Sequence, residues 1–194
     1  MRRRKGLSFY QKQSKISTAL IHEIMSWFFG CVIAVLLAFV LVFYFGMSTS
    51  VIGISMEPTL SGGQSVLIDR FLYTFMAPKQ GDVIAFLPNG DSNAHYYIKR
   101  VVATSGDTVQ IKDGILLVNG KPVYNQLDKI ENPGIAEEEV LVGTDECFVI
   151  GDNCNNSEDS RSANIGLVKK QHIIGKVWFH MASESDGIGF VKKE

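Results

Sequence analysis

The segment TVQIKDGILLVNGKPVY, residues 108–124, is the clearest indicator of fold class in this chain. It consists of short apolar and β-branched runs that are separated by Asp113-Gly114 and Asn119-Gly120. Both dipeptides are two-residue connectors that readily adopt positive φ angles and join antiparallel strands. The segment therefore predicts a three-stranded antiparallel meander.

Similar short runs recur on both sides of this meander, between turn residues, which is typical of an all-β domain. Together they predict a mostly β fold, a sheet or barrel-like domain, over residues 48–183. Residues 125–143 are acidic and predict a loop, and residues 184–194 predict a flexible tail. The predicted strands are Ser65–Asp69, Asp82–Phe86, Tyr96–Ala103, Thr108–Lys112, Ile115–Val118, Cys147–Ile150 and Ile173–Phe179.

One long apolar run, Ile24–Met47, has no charged residue. As a helix it would be about 36 Å long, enough to cross a hydrocarbon core of about 30 Å. A cleaved secretory signal has an apolar core of only about 7–15 residues. The run therefore predicts an uncleaved transmembrane anchor, with the lipid bilayer as a partner.

The charges that flank this run predict its orientation. Residues 1–23 hold six of the 19 Lys and Arg residues, and no further one occurs after the run until Arg70. Because positive flanks stay in the cytoplasm, residues 1–23 are predicted to be cytoplasmic and residues 48–194 to lie outside the plasma membrane. A net charge of −1 argues against a nucleic-acid partner.

A candidate nucleophile, Ser55, lies eight residues beyond the anchor, in the stretch GISMEPT of residues 53–59. A serine in such a stretch is by itself most often a turn residue, but this one lies next to the bilayer surface. A serine hydroxyl needs a base to accept its proton. No G-x-S-x-G motif is present in the chain to indicate a nucleophile elbow.

The candidate base is Lys99, within the predicted strand Tyr96–Ala103. Alternation along a strand places it on the same face as Tyr97, Val101 and Ala103, which is apolar. Burial lowers the pKa of a lysine, so Lys99 could accept a proton near neutral pH. An edge-strand lysine that prevents aggregation is the alternative. Arg100 points to the opposite face and is expected to pair with an acid.

A histidine base remains a second possibility. The chain has four histidines, of which His22 is predicted to lie on the cytoplasmic side. The other three, His95, His172 and His180, have no acidic residue in a recognisable orienting position.

A third polar segment, GDNCNNSEDSR at residues 151–161, follows an apolar strand. It cannot be an EF-hand loop, because Cys154 and Ser157 occupy positions that require a ligand and a glycine. We therefore expect no metal there. Cys147 and Cys154 are seven residues apart on extended chain, beyond the roughly 7 Å limit of a disulfide, and are expected to be free thiols.

Four segments, in order along the chain, resemble the successive motifs of bacterial type I signal peptidases. They are SMEPT (55–59), QGDVIAF (80–86), YIKRVV (97–102) with Gly106-Asp107, and GDNCNNSEDSR (151–161). Each motif alone is weak, but four in this order and spacing are specific, and the resemblance extends from the anchor to Phe179. A lysine in the base position and a single anchor resemble the shorter Gram-positive form.

This resemblance implies a serine endopeptidase that removes signal peptides from secreted preproteins at the outer membrane surface, without a cofactor. Ser55 would attack the scissile carbonyl, and Lys99 would act as general base and then as general acid. Ser157 would orient Lys99 through a hydrogen bond, while Asp159 and Arg161 would form a supporting ion pair.

The resemblance also implies shallow pockets for small side chains of a substrate that binds as an added strand. Their lining would comprise Val51, Met56, Leu60, Tyr97 and Ile98. The Ser55 backbone N–H would contribute to the oxyanion hole. Two positions depart from the family pattern: Cys154 stands where arginine is usual, and Ala103-Thr104-Ser105-Gly106-Asp107 stands where the family usually has a Gly-x-Pro-Gly-Asp turn. In addition, Gly53 stands where some relatives have a serine whose hydroxyl adds to the oxyanion hole.

Two other functions remain compatible with the sequence. One is a different membrane-anchored Ser-Lys processing peptidase, such as a pilus-processing relative. The other is a catalytically weak, membrane-tethered module that holds secretory precursors, for which the unusual Cys154 is the support.

Overall fold

The structure is a computed structural model that describes residues 17–123, 129–183 and 187–192, except for the side chain of Tyr44. The basic residues predicted to be cytoplasmic lie within residues 1–16 and therefore outside the described residues. The chain divides into two units, Met1–Val40 and Leu41–Glu194.

The first helix, α1 (Thr18–Phe45), contains the predicted anchor. Its residues Thr18–Phe43 are long and apolar enough to cross a membrane, and none of their side chains is buried in the protein. The helix begins six residues before the predicted span, and Met47, predicted to be its last residue, starts a strand instead. The last helical residue, Phe45, is followed by Gly46, and glycine is a poor helix former. The Gly46 N–H still donates to the carbonyl of Val42 at 2.8 Å.

The second unit is mostly β, as predicted, and contains one short helix, α2 (Leu72–Phe75), that the sequence analysis did not identify. In chain order its strands are β1 (Met47–Ser50), β2 (Ser65–Asp69), β3 (Val83–Phe86), β4 (Tyr97–Thr104), β5 (Thr108–Lys112), β6 (Ile115–Val118), β7 (Lys121–Pro122), β8 (Val140–Leu141), β9 (Glu146–Ile150), β10 (Val168–Lys169), β11 (Ile173–His180) and β12 (Gly189–Phe190).

The strands form two antiparallel sheets among the described residues. The larger sheet has the order β1-β2-β11-β3-β4-β9-β10, with β12 paired to β11, and the smaller has the order β7-β6-β5-β8. Strand β4 lies in the middle of the larger sheet, between β3 and β9, so its side chains have neighbours on both sides. All of Ile98–Ala103 are buried. Core clusters pack against this strand: Ile98, Val101 and Val102 belong to three different ones.

The predicted meander is confirmed as β5, β6 and β7. Asp113 and Asn119 have φ angles of 55° and 52°, and the glycines that follow them are also at positive φ. Each dipeptide therefore forms the tight connector that its sequence predicts.

Residues 129–143 differ from the predicted loop. Gly134–Glu137 form a 3-10 turn, and β8 pairs with β5 through Thr108↔Leu141 and Val109↔Val140. Ala136 and Val142 are fully or almost fully buried in the core beneath the smaller sheet, which explains why this acidic segment is held there.

Three buried clusters fill the second unit, and one of them lies under Ser55. It contains Met56 and Leu60 from the loop after β1, together with Ile68 and Val177 from β2 and β11. Anchoring by these side chains fixes the backbone on both sides of Ser55. Cys147 and Cys154 are buried free thiols, as expected.

Candidate active site

The loop that carries Ser55 connects β1 and β2 and is closed by backbone hydrogen bonds. Val51 donates to the carbonyl of Gln64 and Gly63 donates to the carbonyl of Val51, both at 2.8 Å. Met56 and Leu60 have no exposed surface. The serine is therefore held by buried neighbours rather than lying on a free loop.

Lys99 projects from β4 to the Ser55 side chain. Its Nζ lies 2.5 Å from Ser55 Oγ, and only 4% of the residue is exposed to solvent. The same Nζ lies 5.8 Å from the centre of the Tyr97 ring. A neutral amine at this distance can accept the hydroxyl proton of the serine.

Burial is the main influence on the charge of Lys99 and lowers its pKa to about 8. Asp159 and Glu158 favour the ammonium form and counteract the effect of burial, whereas Arg161 adds to it. A lysine in this state has a substantial neutral fraction near neutral pH, unlike an ordinary lysine with a pKa of about 10.4.

The segment 151–161 is held by the predicted ion pair. Arg161 Nε lies 2.8 Å from Asp159 Oδ1, and both residues are buried. Asp159 also accepts a hydrogen bond from the Gly151 N–H at 3.1 Å. Arg161 further donates to the backbone carbonyls of Asn132 and Cys154. A buried, fully hydrogen-bonded pair of this kind fixes the loop rather than adding net charge.

Ser157 does not make the predicted hydrogen bond to Lys99. Its Oγ is buried and has no hydrogen-bond partner among the residues that the structure describes, while the Lys99 amine is directed to Ser55. A Cβ atom on Gly151 would lie 2.7 Å from Ser157 Cβ and 2.5 Å from the Ser55 carbonyl oxygen, so the two serines meet at this glycine.

A cavity of about 290 Å³ opens in front of the Ser55–Lys99 contact. Of the predicted lining residues, Val51, Tyr97 and Ile98 line this cavity. Met56 and Leu60 do not, because both are packed in the core beneath the loop. The full lining is Val51, Ile52, Ser55, His95, Tyr96, Tyr97, Ile98, Lys99 and Glu158.

Glu158 was missed by the sequence analysis. The hydroxyl of Tyr97 donates to its Oε2 at 3.2 Å, so a strand and the 151–161 loop meet across the cavity. A larger groove of about 520 Å³, lined by Arg70, Tyr73 and Lys170 among others, contains no serine and does not reach Ser55.

The histidines do not form an alternative dyad with Ser55 in the described residues. His95 lines the cavity, but no carboxylate hydrogen-bonds its ring. The Nδ1 of His180 lies 2.9 Å from Gln64 Nε2, and the Nε2 of His172 lies 3.2 Å from Gln171 Nε2. Within residues 17–123, 129–183 and 187–192, no three His, Cys, Asp or Glu residues are grouped as metal ligands would be.

Residues 24–182 match the family model described as "Signal peptidase, peptidase S26". The chain belongs to the signal peptidase family. Its members are serine endopeptidases, and this match spans α1 and nearly all of the β unit.

Several curated signal peptidases are similar to this chain over most of its length. "Probable signal peptidase I-1" of Synechocystis sp. is 34% identical over 76% of this chain and 76% of its own. "Signal peptidase I P" of Bacillus subtilis subsp. natto is 33% identical over 79% and 86%. "Signal peptidase IB" of Staphylococcus aureus is 30% identical over 81% and 88%. A solved signal peptidase I from Enterococcus faecalis V583 aligns with 53% of this chain and 97% of its own, with 27% identity and a TM-score of 0.41.

Cys154, the residue that differs from the usual arginine, is not part of the cavity. It is 2% exposed and packs in the core cluster of Val102 and Ile150. Its contribution to the site is the backbone carbonyl that accepts from Arg161. The thiol therefore lends no support to the alternative of a catalytically weak binding module.

Proposed function

We propose that this signal peptidase removes signal peptides from secretory preproteins with a Ser-Lys dyad, Ser55 as nucleophile and Lys99 as general base. The observation that carries the proposal is the 2.5 Å contact between the buried Lys99 amine and the Ser55 hydroxyl. Burial lowers the pKa of this amine to about 8, so roughly a tenth of it is neutral at pH 7, and the neutral amine is the form that can accept a proton.

In the acylation step, Ser55 Oγ attacks the scissile carbonyl carbon while its proton passes to Lys99 Nζ. The resulting ammonium then protonates the leaving amine, and the signal peptide stays bound to Ser55 as an ester. In deacylation, Lys99 takes a proton from water as the water oxygen attacks the ester carbon. The Lys99 ammonium then returns a proton to Ser55 Oγ as the ester C–O bond breaks, and the signal peptide leaves with a new carboxyl terminus.

The oxyanion formed in each step requires hydrogen-bond donors. The backbone N–H of Ser55 supplies one in this proposal. Gly53 is at φ 76° and offers no hydroxyl, so a second donor has to come from elsewhere, from the backbone or from water.

Asp159 and Arg161 influence the charge of Lys99 as well as the position of the 151–161 loop. A buried carboxylate near Lys99 favours the ammonium form, which cannot accept a proton. Arg161, bonded to Asp159 through Nε and Nη2, offsets that carboxylate. The pair thus holds the loop with little cost to the neutral form of Lys99.

The cavity accounts for the small residues expected before the cut. Two stretches of backbone, Val51–Ile52 and Tyr96–Ile98, line the cavity, and an extended substrate segment would bind against them. A volume of about 290 Å³ accepts small side chains in front of Ser55.

In this proposal the anchor keeps the cleavage reaction at the membrane. With α1 in the plasma membrane and the N-terminus in the cytoplasm, the β unit lies on the outer face, where signal peptides emerge. Tethering to the same bilayer raises the effective concentration of enzyme and substrate.

The test is to mix the full chain, solubilised in detergent, with a labelled preprotein and to sequence the new N-terminus. Cleavage after a small residue is expected, and the Ser55→Ala chain should give none. Efficient cleavage of a substrate with Phe or Lys directly before the cut would contradict the proposal. Protease added to intact spheroplasts should remove the β unit, and full protection would contradict the orientation.

The pH dependence of kcat/KM should follow Lys99, whose pKa is about 8 in the folded enzyme. Because only the neutral amine is competent, kcat/KM should fall about tenfold per pH unit below that value and level off above it. Rates over a range of about pH 6 to 10 check this. An acid limb centred near about 6.5 would indicate a histidine base instead.

A further inference from the structure

Arg100 follows Lys99 in β4 and points away from it, into the protein. Only 3% of the residue is exposed. Its Nε and Nη2 atoms each lie 2.7 Å from one carboxylate oxygen of Asp152, which is the bidentate geometry of a strong ion pair. The expected pairing of Arg100 with an acid is confirmed.

The other donors of this guanidinium contact three further segments. Nη2 donates to Thr59 Oγ1 at 3.3 Å, and Nη1 donates to the carbonyls of Gly81 at 3.1 Å and Lys192 at 3.0 Å. An arginine has five N–H donors in a fixed planar arrangement, which lets one side chain contact several segments at once. One side chain thus connects the Ser55 loop, the turn before β3, the 151–161 segment and the C-terminal segment.

The C-terminal segment, residues 187–192, is itself fixed to the sheet. Strand β12 pairs with β11 through Phe179↔Phe190 and His180↔Gly189, and Val191 donates to the Trp178 carbonyl at 3.0 Å. The Phe190 ring lies 5.5 Å from the Phe179 ring. These residues fall within the predicted flexible tail, yet they are paired, because the aromatic side chains of β11 give them a surface to pack on.

The partners of Arg100 lie directly beside the dyad. Asp152 precedes Asn153, whose backbone N–H donates to the Ser55 carbonyl at 3.1 Å. Thr59 lies four residues after Ser55, and Lys99 is the neighbour of Arg100 in β4. A displacement of the guanidinium would therefore move both members of the dyad.

We propose that the C-terminal segment 187–192 is a positioning element of the active site, which holds Arg100 through the Lys192 carbonyl and thereby keeps Ser55 and Lys99 aligned. The inference rests on the proposed function. Without this carbonyl, Nη1 of the buried guanidinium loses the hydrogen bond to Lys192, and the side chain is held by fewer contacts. Misplacement of catalytic groups by about 1 Å can lower the rate about 100-fold.

The experiment compares two truncations of the full membrane-anchored chain. One ends at Asp186 and lacks the whole segment; the control ends at Lys193 and keeps β12 and the Lys192 peptide carbonyl. Cleavage of the labelled preprotein should show kcat reduced about 10- to 100-fold in the first, with KM nearly unchanged, because alignment rather than binding is lost. The control should match the wild type.

Arg100→Lys separates positioning from general destabilisation. Lysine cannot bridge four segments, so Arg100→Lys alone should lower kcat. Ending the same variant at Asp186 should then lower kcat little further. If the segment only stabilised the fold, the losses of kcat in Arg100→Lys and in the chain ending at Asp186 would add. Each loss would also match the decrease in folded fraction measured by thermal unfolding. Either of those results, or an unchanged kcat in the chain ending at Asp186, would overturn the proposal.

If the chain ending at Asp186 does not fold, Gly189→Val in the full-length chain gives the same test. A Cβ at this position would lie 3.0 Å from His180 Nε2, so a larger side chain should displace β12 and lower kcat. Normal kcat in a folded Gly189→Val chain would again count against the proposal. A wild-type chain that leaves the preprotein intact would refute the proposed function, and the tail proposal with it.

Discussion

Lys99→Ala is expected to lower kcat/KM by about four orders of magnitude, and Ser55→Ala by a similar factor. The two side chains act as one unit, since the hydroxyl is a poor nucleophile without the amine and the amine has no other proton to take. The double variant should therefore be hardly worse than either single one. Lys99→Arg should fail as well, because a guanidinium stays protonated.

Two measurements distinguish this loss from misfolding. Lys99→Met should fold at least as stably as the wild type, because burial disfavours the charged form of Lys99 and methionine carries no charge. His172→Gln, at an exposed contact away from the cavity, should retain full activity. If Lys99→Ala turned over near normally while His95→Gln were inactive, the dyad would be wrong and a histidine would be the base.

Gly151→Ala is expected to cost about 100-fold in kcat/KM with a smaller effect on KM. The new Cβ would come 2.5 Å from the Ser55 carbonyl oxygen and 2.7 Å from Ser157 Cβ, closer than atoms of this kind approach in proteins. Either the Ser55 loop or the 151–161 segment must move. Because Lys99 contacts Ser55 at 2.5 Å, a small movement is enough to break the dyad.

Gly175→Ala is the matched control. Its Cβ would clash with the Asp69 carbonyl oxygen and lie 2.7 Å from Ile68 Cγ2, between β11 and β2. This variant should be destabilised to a similar degree but should keep kcat/KM per folded molecule. Equal losses of kcat/KM in the two variants, or full activity in Gly151→Ala, would show that position 151 has no particular role in aligning Ser55.

Local signals in the sequence predicted the strands well. Asp113-Gly114 and Asn119-Gly120 fix their turns by their own backbone preferences, and no distant contact is needed to form them. The apolar run of α1 is equally local. The sequence analysis missed β1, β8, β10 and β12, which are two to four residues long and too short to show a clear alternation of apolar residues.

The site was predicted in part, and the errors have a common cause. The candidate residues Ser55, Lys99, Asp159 and Arg161 could be named because their motifs are specific. Met56 and Leu60 were misassigned to the cavity because the curvature of a loop decides which side chains face inward. The Ser157 hydroxyl and the lining residue Glu158 depend on side-chain rotamers and on contacts across two segments, neither of which a sequence pattern contains.

Arg100 and Arg161 each bind, besides a carboxylate, main-chain oxygens. Arg161 takes the main-chain carbonyls of Asn132 and Cys154, and Arg100 takes those of Gly81 and Lys192. Asn132, Cys154 and Lys192 can change their side chains without losing the hydrogen bond, whereas Gly81, at φ 87°, favours glycine. The site can therefore tolerate sequence drift around a few fixed charges, which explains how a cysteine can stand at position 154 while Arg161 keeps its acceptor there. Engineering of the surrounding loops should have the same freedom.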